Sequence, residues 1–443
     1  MRAVDTIKNI WKIEELRSRI LTTLLLVAVY RFGSFVVLPG IDPDALAGLQ
    51  SQTKSGLLSL LDMFSGGAFS HASIFALGIM PYISASIVIQ LLTIAVPKFQ
   101  KMQREGESGR RKMNQYTRYL TVLILFFQAP SYLINLNVQL KDAMPTGLWF
   151  VISSTLILTA GSMFIMWLGE RITDKGIGNG ISFIILVGII ARLPQAITQE
   201  FILRFNEKAG GLVMFLSEIV FLLFVIAMAI LLVQGTRKVP VQYAKKIVGD
   251  KQYGGARQYI PLKINASGVM PIIFAQAIMF IPVTIVGYSH MESVGPFLQS
   301  FLTHTGWGYN ITFAVLIIAF TYFYTAITIQ PTQMAEDMKR NNGFIPGIKP
   351  GKKTAEYLDE IMSRITLPGS MFLALIAIMP AFASMFGVGQ EFSQFFGGTS
   401  LLILVGVVLD TLQQVESHLL MRHYDGLLKS GRIKGRSGSA TAY

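Results

Sequence analysis

Cysteine is absent from this 443-residue chain, so disulfides, thiolate chemistry and cysteine-ligated metals are excluded. Charge is also scarce, because only 14% of the residues are Asp, Glu, Lys or Arg, whereas a soluble protein carries about a quarter. The five histidines form neither an i, i+4 pair nor an HExxH motif, so no metal site or other cofactor is predicted. Hydrophobic residues make up 52% of the chain, which indicates a surface that faces lipid.

Long apolar runs make up most of the chain. Ten of them approach the length of about 20 residues that a helix needs to cross a bilayer. These runs are residues 20–38, 73–96, 117–135, 147–169, 180–198, 212–234, 266–289, 310–331, 369–386 and 397–415. The chain is therefore predicted to be an all-α membrane protein with ten transmembrane helices. Residues 1–19 are predicted to be a charged cytoplasmic tail rather than a cleavable signal peptide.

Lysine and arginine are distributed unevenly between these runs. Of the 38 such residues, the two tails and the alternate loops on one side hold 32, and the loops on the other side hold five. The remaining one is Arg31 in the first span, and Arg118 and Arg192, which are counted with the adjacent loops, lie within the predicted third and fifth spans. The positive-inside rule then places both termini and the long loops at 235–265 and 332–368 in the cytoplasm.

The number of spans also predicts how the two halves are related. Five spans lie in residues 20–198 and five in residues 212–415, joined by an external hinge loop at 199–211 and followed by a cytoplasmic tail at 416–443. Because five is odd, the second half begins on the opposite side of the membrane from the first. Structurally related halves would then be inverted repeats with a site or pore between them.

One apolar segment, LLSLLDMFSGGAFS at 57–70, is too short to span. A run of this length indicates a re-entrant or interfacial piece, which is stable at membrane depth only if it is buried in protein or lines a cavity. An external amphipathic loop helix is the alternative. Shallow apolar contacts are expected to hold the segment as a mobile helix, because Asp62 and the pair Gly66-Gly67 do not favour deep packing.

Ionisable groups, which mark ion and substrate paths, are almost absent from the spans. Arg31 is expected to reach the external interface by snorkelling, and Asp410 and Glu218 lie near span ends, where structural roles are favoured. The GNG at 178–180 is a weak nucleotide signal. A secondary transporter would need a ligand site near the middle of the membrane, and an intramembrane enzyme would need a cluster of catalytic residues. The predicted spans show neither pattern, so neither class is favoured and no enzymatic activity is predicted.

Uncharged polar residues do occur in the spans, and three of them stand out. Ser84 and Gln90 lie in the second span, and Asn179 lies at the start of the fifth. One interpretation is ordinary hydrogen bonding between helices, worth about 0.6–2 kcal/mol per contact. The other is a weak polar seam between helices that must part, and composition does not separate the two.

Isoleucine recurs at helical spacing in the same segments. Ile79, Ile83 and Ile87 lie at i, i+4 spacing, as do Ile181 and Ile185, so each set forms a stripe on one helix face. Further isoleucines lie in the seventh and tenth spans, at Ile273 and Ile403. Such stripes usually face lipid or pack against another helix, and a lining of a pore is the alternative.

Several long motifs resemble those of the SecY family, the channel-forming subunits of protein translocases. They are GGAFSHASIFALGIMPYISASIVIQLL at 66–92, EGESGRRKMNQYTRY at 105–119, MWLGERITDKGIGNGIS at 166–182, VQYAKK at 241–246, PLKINASGVMPIIFA at 261–275, FIPGIKPG at 344–351 and FGGTSLLILVGVVLD at 396–410. They follow the family's order and spacing, and the resemblance extends from about residue 15 to residue 430.

The resemblance implies two inverted five-helix halves around a central hourglass channel. A plug would occupy residues 57–70 and would include Leu60, Phe64, Gly66 and Gly67. The apolar constriction ring would consist of Ile79, Ile83, Ile181, Ile185, Ile273 and Ile403. A lateral gate between the second and third helices on one side and the seventh and eighth on the other would hold the polar cluster of Ser84, Gln90 and Asn179.

The resemblance also implies a function and partners. Unfolded polypeptides would cross a bacterial inner membrane, and transmembrane segments would leave sideways into lipid, driven by the SecA motor or the ribosome. SecE would clamp the two halves and SecG would be a third subunit, while signal peptides and nascent membrane proteins would be the clients. The docking residues for SecA or the ribosome would be Arg237, Lys238, Lys245, Lys246 and Lys349.

One residue departs from the family pattern. The family usually has arginine in the FIPGIRPG loop, where this chain has Lys349. Lysine keeps the charge but lacks the planar, bidentate guanidinium. The contact that this loop makes with a motor is therefore expected to differ in detail, although the position of the loop is not.

Overall fold

The computed structural model describes residues 13–42, 62–140, 147–206, 211–243, 257–276 and 306–429, together with Trp11, Leu46, Pro145, 246–248, 251–253 and 278–279. The helices are α1 (Glu14–Gly33), α2 (Met80–Ala95), α3 (Pro97–Arg104), α4 (Glu107–Leu140), α5 (Leu148–Lys175), α6 (Gly180–Asn206), α7 (Gly211–Gln234), α8 (Trp307–Thr328), α9 (Pro331–Arg340), α10 (Lys352–Met385), α11 (Gln390–Ser393) and α12 (Gly398–Lys429). The strands are β1 (Thr236–Tyr243), β2 (Lys246–Val248), β3 (Lys251–Tyr253), β4 (Arg257–Lys263) and β5 (Gly343–Phe344).

The predicted helical fold class is confirmed. Within the described residues, seven helices are long and apolar enough to cross a membrane, or eight if the pair Met80–Thr93 and Pro97–Gln103, bent by 102°, is one span. The predicted first span falls on α1, whose start carries additional charges. The predicted seventh span at 266–289 extends beyond the described residues.

The second span begins later than predicted. Ser73 forms an isolated β-bridge with Val37, residues 74–79 form turns, and the helix begins only at Met80. Gly78 has a φ of +56°, a conformation that interrupts a helix, and Pro81 then occupies the first helical turn, where its missing N–H is not needed. Pro97 ends the helix, because the residue before a proline is pushed out of the α region, and Val96 is extended.

The chain divides into two compact units. One comprises residues 1–52, 61–190 and 407–443, and the other comprises residues 53–60 and 191–406. In the first unit, α1 packs against α5, and α4 packs against both α2 and α5. In the second unit, α10 packs against α7, α8 and α9. Residues 199–206 of the predicted hinge loop at 199–211 belong to α6 instead, and the role of this stretch as an external hinge stays a prediction.

A small β-sheet in the second unit was not predicted. Its order is β4-β1-β5 and its pairing is antiparallel, with Val239 opposite Ile260. A separate core packs one face of this sheet against α9 and the start of α10. That core consists of Val239, Val241, Leu262, Met338, Ile345, Leu358 and Met362. The two long loops predicted to be cytoplasmic therefore fold together on one hydrophobic cluster.

Candidate functional site

The described part of the predicted plug, residues 62–70, is buried throughout and rich in turns. Residues 62–64 form one helical turn, after which Gly66 and Gly67 have φ values of +64° and +93°, which end the helix. Leu60 lies outside the described residues, and Phe64 is buried. The expectation of shallow contacts is therefore wrong for residues 62–70, and the expectation of a helix is wrong for residues 65–70.

Polar side chains fix the backbone of this segment. The Ser70 N–H donates to Oδ1 of Asp62 at 2.8 Å, which closes the turn internally. From α1, the Tyr30 hydroxyl donates to the Ser65 carbonyl at 3.1 Å. From α4, the Tyr132 hydroxyl donates to the Phe69 carbonyl at 2.9 Å. Each of these bonds satisfies a backbone group that burial has removed from water.

Arg31 makes the charged contact in this region. Its Nη1 donates to the Gly66 carbonyl at 2.8 Å, and its guanidinium lies 5.2 Å from the centre of the Phe35 ring. The arginine thus turns inward to the buried segment, whereas the sequence predicted that it reaches the external interface. A hydrogen bond from a charged donor is about twice as strong as one from a neutral donor. The bond from Arg31 to Gly66 is therefore the strongest single hydrogen bond that we identify between residues 62–70 and another part of the chain.

A close backbone approach holds the same segment from α6. A Cβ added to Gly66 would lie 2.8 Å from Cα of Gly188, and a Cβ added to Gly188 would lie 2.9 Å from the Phe64 carbonyl oxygen. Neither position can take a side chain without moving the other backbone. Both glycines are therefore required by packing, and the role of Gly188 was not predicted from the sequence.

His71 follows the buried segment and packs against Phe35, whose ring also contacts Arg31. Its ring lies 5.6 Å from that of Phe35, between centroids. Partial burial, followed by the positive charge of Arg31, lowers the pKa of His71 from its usual value of 6.5. The imidazole is therefore mainly neutral near pH 7 and adds little positive charge beside Arg31.

Four of the six predicted ring isoleucines lie in the first unit. Ile79 caps the start of α2 and is buried, Ile83 follows one turn later and is half-buried, and on α6 Ile181 is half-buried and Ile185 is buried. In the second unit, Ile273 is half-buried and Ile403 on α12 is buried. None of the six is fully exposed, while their convergence on one axis stays a prediction.

The three residues of the predicted polar cluster differ in their surroundings. Gln90 donates to the Ser86 hydroxyl at 3.4 Å within α2, and Ser84 is half-buried. Asn179 is exposed, and its Oδ1 accepts from the Ile181 N–H at 3.2 Å at the start of α6. Asn179 therefore caps a helix, and its predicted role at a lateral gate remains a prediction.

The glycine turn at 176–180 is occupied by contacts within the chain. The Gly178 N–H donates to Oε1 of Gln414 at 2.9 Å, and the Gly180 N–H donates to the Thr173 hydroxyl at 2.9 Å. Arg19 donates to the Gly176 carbonyl at 3.3 Å. These backbone groups join α1, α5, α6 and α12, which supports a structural rather than a phosphate-binding role for the turn.

The predicted docking residues lie on or beside the small sheet. Arg237 and Lys238 are exposed at the start of β1, and Lys349 is exposed in the loop after β5. The Lys349 carbonyl accepts from the Thr354 hydroxyl at 3.0 Å, which ties this loop to the first turn of α10. Lys245 lies outside the described residues, and Lys246 begins β2.

A buried ion cluster in the second unit was missed by the sequence analysis. Arg204, near the end of α6, pairs with Glu200 at 3.0 Å between Nε and Oε1, and also with Glu218 of α7. The Arg204 guanidinium donates to the Gly387 carbonyl, and the Gly389 N–H donates to Oε2 of Glu200, each at 2.8 Å. One arginine and two carboxylates thus fasten α6, α7 and the turn after α10 to one another.

Comparison with known proteins gives a consistent family match. The model of the SecY family matches residues 73–412. The protein translocase subunit SecY of Thermotoga maritima is 41% identical over 441 residues, which covers 97% of this chain and 99% of that protein. The protein translocase subunit SecY of Streptomyces scabiei is 42% identical over 433 residues, covering 95% of this chain and 98% of that protein.

Solved structures are similar in fold at low sequence identity. A structure described as that of a protein conducting channel aligns with a TM-score of 0.60 at 17% identity, covering 90% of this chain and 92% of that one. Sec61 from a canine ribosome-channel complex aligns with a TM-score of 0.56 at 16% identity, over the same shares of the two chains. These alignments establish that the fold is shared.

Proposed function

The chain belongs to the SecY family, and from that premise we propose that it is the protein-conducting channel subunit of a Sec translocon. It passes unfolded polypeptides across the membrane and releases transmembrane segments sideways into lipid. The observation that carries this proposal is the 41% identity to a SecY translocase subunit over 97% of the chain. The chain is a channel protein in this proposal and has no enzymatic role.

The seal of this channel combines a plug and an apolar ring. Residues 62–70 are the plug, and the bonds from Tyr30, Arg31 and Tyr132 hold it in its resting position. The six isoleucines form the ring, whose side chains offer no hydrogen bonds to ions and which dewets when empty. Breaking the polar bonds to the plug is then one step of opening.

The proposed partners fall into three groups: membrane subunits, sources of driving force, and transported clients. SecE and SecG are membrane subunits that assemble with the chain, while SecA and the ribosome supply the driving force from the cytoplasm. Signal peptides and nascent membrane segments leave through a lateral gate that includes Ser84, Gln90 and Asn179. The membrane is a bacterial inner membrane, and both termini are cytoplasmic.

Reconstitution tests this proposal directly. The chain is purified with its co-purifying subunits, placed in vesicles and supplied with SecA, ATP and a secretory precursor. We expect the precursor to become protected from external protease only when its signal sequence is intact, and a small SecE-like helical protein to co-purify. Protection that is absent, or that does not depend on the signal sequence, would contradict the channel role.

The Lys349→Glu substitution should impair SecA-driven transport. Lys349 is exposed on a loop that Thr354 ties to α10. Reversing its charge should therefore weaken binding to SecA and leave the packing of the protein core unchanged. Complementary charges at an interface raise the association rate, and the apparent affinity for SecA should fall by roughly tenfold. Binding is measured on vesicles carrying equal amounts of each variant. Lys353→Glu, on the exposed start of α10, is the control, and equal losses for both would contradict a specific role of Lys349.

The Arg31→Met substitution should make the resting channel leak ions. Methionine keeps the apolar stem and removes the bond to the Gly66 carbonyl, which is worth about 1.5 kcal/mol or more for a charged donor. The open fraction should therefore rise by roughly tenfold, as read from conductance in planar bilayers. Arg118→Met is the control, because Arg118 pairs with Glu170 at the surface. A silent Arg31→Met channel, with the protein folded, would show that this bond does not hold the seal.

A further inference from the structure

A hydrogen bond joins the start of α12 to the helical segment at residues 270–276. The Thr399 hydroxyl donates to Oε1 of Gln276 at 2.8 Å. Thr399 is buried and Gln276 is half-buried, and both residues belong to the second unit. Apolar contacts between helices have no direction, whereas a hydrogen bond requires two atoms to meet. The bond therefore fixes where along their lengths these two helices meet.

The hydroxyl of Thr399 is directed to another helix rather than to its own. Threonine in a helix commonly bonds a carbonyl of the preceding turn, as Thr321 of α8 does at 2.7 Å. At the start of α12 the local bond is made by the next residue, because the Ser400 hydroxyl donates to the Gln394 carbonyl at 2.7 Å. Ser400 thus ties the start of α12 to the preceding turn, and the bond of Thr399 serves the contact between helices.

A close approach marks the same pair of helices on the cytoplasmic side of that bond. A Cβ added to Gly406 of α12 would lie 3.5 Å from Cγ2 of Val269, at ordinary van der Waals distance. The Ile273 N–H donates to the Val269 carbonyl at 3.4 Å, so Val269 opens the helical turn that carries Ile273. Gly406 follows Thr399 by seven residues, and Val269 precedes Gln276 by seven. The two helices are therefore antiparallel and stay in register over about two turns.

Two residues of the predicted ring lie between these two contacts. Along α12, Ile403 follows Thr399 by four residues, and along the other helix Ile273 precedes Gln276 by three. Helical residues three or four apart share one face, so each isoleucine lies on the face that carries the hydrogen bond. The antiparallel register places Ile273 and Ile403 within one residue of the same level, which is a rise of about 1.5 Å.

Aromatic rings hold another face of the segment at 270–276. The ring of Phe274, which is buried, lies 5.6 Å from that of Phe320 and 5.7 Å from that of Tyr324, between centroids, and both partners belong to α8. Aromatic pairs are stable over centroid distances of about 4.5–7 Å. These contacts therefore keep the segment against α8 but allow it to shift along its axis, and the bond to Thr399 restrains that shift.

We propose that Thr399 and Gln276 are positioning residues of the constriction, whose hydrogen bond holds Ile273 and Ile403 at one level and so keeps this part of the ring closed. The inference rests on the proposed channel function and adds two residues that are not members of the ring. Without the Thr399 hydroxyl, the Gln276 oxygen loses its donor in half-buried surroundings, which is costly. Water can replace that donor when the helices part, so loss of the bond favours the open channel.

The test compares Thr399→Val, which keeps the shape and removes the hydroxyl, with Thr399→Ser, which keeps the hydroxyl. The full-length chain is purified with its co-purifying subunits, and conductance is measured in planar bilayers at equal amounts of inserted protein. Loss of one neutral hydrogen bond should raise the open fraction of Thr399→Val by roughly threefold to tenfold. Thr399→Ser should stay within about twofold of the parent. So should the control Thr321→Val, because that buried hydroxyl bonds only its own helix in the described contacts.

Variants of the other helix complete the test. Gln276→Met keeps the length of the side chain and removes the acceptor, so it should leak like Thr399→Val, and it replaces that variant if the valine protein is not monodisperse. The double variant should leak no more than either single one, because one bond is lost only once. No leak from either single variant, even with a lower melting temperature, an equal leak from Thr399→Ser or Thr321→Val, or additive leaks would overturn the proposal. A parent protein that fails to transport an intact precursor would instead contradict the channel function.

Discussion

Replacing Arg204 with methionine should destabilise the purified protein more than any other single change considered above. Arg204 has a side chain that is 5% exposed, and it lies between Glu200 and Glu218, which are 1% and 4% exposed. Removing the arginine leaves two buried carboxylates without their cation, which costs about 3–5 kcal/mol. We expect a lower melting temperature in detergent, measured by the loss of the monodisperse peak after heating.

Two further variants separate charge from packing. Arg118→Met removes an arginine whose pair with Glu170 is partly exposed, so it should cost about 1 kcal/mol or less. Adding Glu200→Gln and Glu218→Gln to Arg204→Met removes the uncompensated charge and should recover part of the lost stability. If Arg204→Met melts like the parent protein, or if the two glutamines recover nothing, the ion cluster does not hold these helices together.

The spans could be predicted because lipid imposes a simple composition on the helices that cross it. The ends of the helices were harder to predict, because some helices continue through charged residues beyond the apolar stretch. The helix α10 begins at Lys352, well before the predicted span at 369–386. The opposite happened at α2, where Gly78 and Pro81 delay the helix to Met80. The sheet around Val239 was not predicted because β1 carries Arg237, Lys238 and Pro240 and lies in a segment interpreted as a loop, and proline is unusual inside a strand.

The short apolar segment at 57–70 stays a predicted plug, and the hydrogen bonds that hold its described part, residues 62–70, could not be predicted from the sequence. Its partners Tyr30 and Tyr132 are remote in the chain and look like ordinary aromatic residues of apolar spans. Arg31 is recognisable in the sequence as a cation within the first predicted span, yet nothing in the local pattern indicates that it donates a hydrogen bond to Gly66. Backbone carbonyls carry no sequence signature, so bonds to them appear only when the fold is known.

The Ile83→Asn or Ile403→Asn substitution should open the channel if these side chains line the pore as proposed. Ile403 is buried and Ile83 is half-buried, and losing the full burial of an isoleucine such as Ile403 removes about 1.5–3 kcal/mol of apolar contact from the closed state. The open fraction of the Ile403→Asn channel should then rise by roughly tenfold to a hundredfold, and that of Ile83→Asn by less. An amide also holds water in a constriction that isoleucine keeps dry. The variants should leak ions and transport precursors with defective signal sequences, at near-normal abundance.

The competing interpretation, that these isoleucines face lipid or merely pack, predicts a different outcome. Val88→Asn on α2 and Val408→Asn on α12 are matched controls, because both valines are exposed on the same helices, at 40% and 38%. A polar group facing lipid lowers the amount of inserted protein and leaves the conductance per channel unchanged. Crosslinking then gives the direct answer, because a precursor stalled midway should react with cysteines at the six ring positions. It should react poorly with cysteines at the two valines, since each lies five residues from a ring isoleucine and therefore on a different face of the same helix. Equal reaction at both sets would exclude the ring.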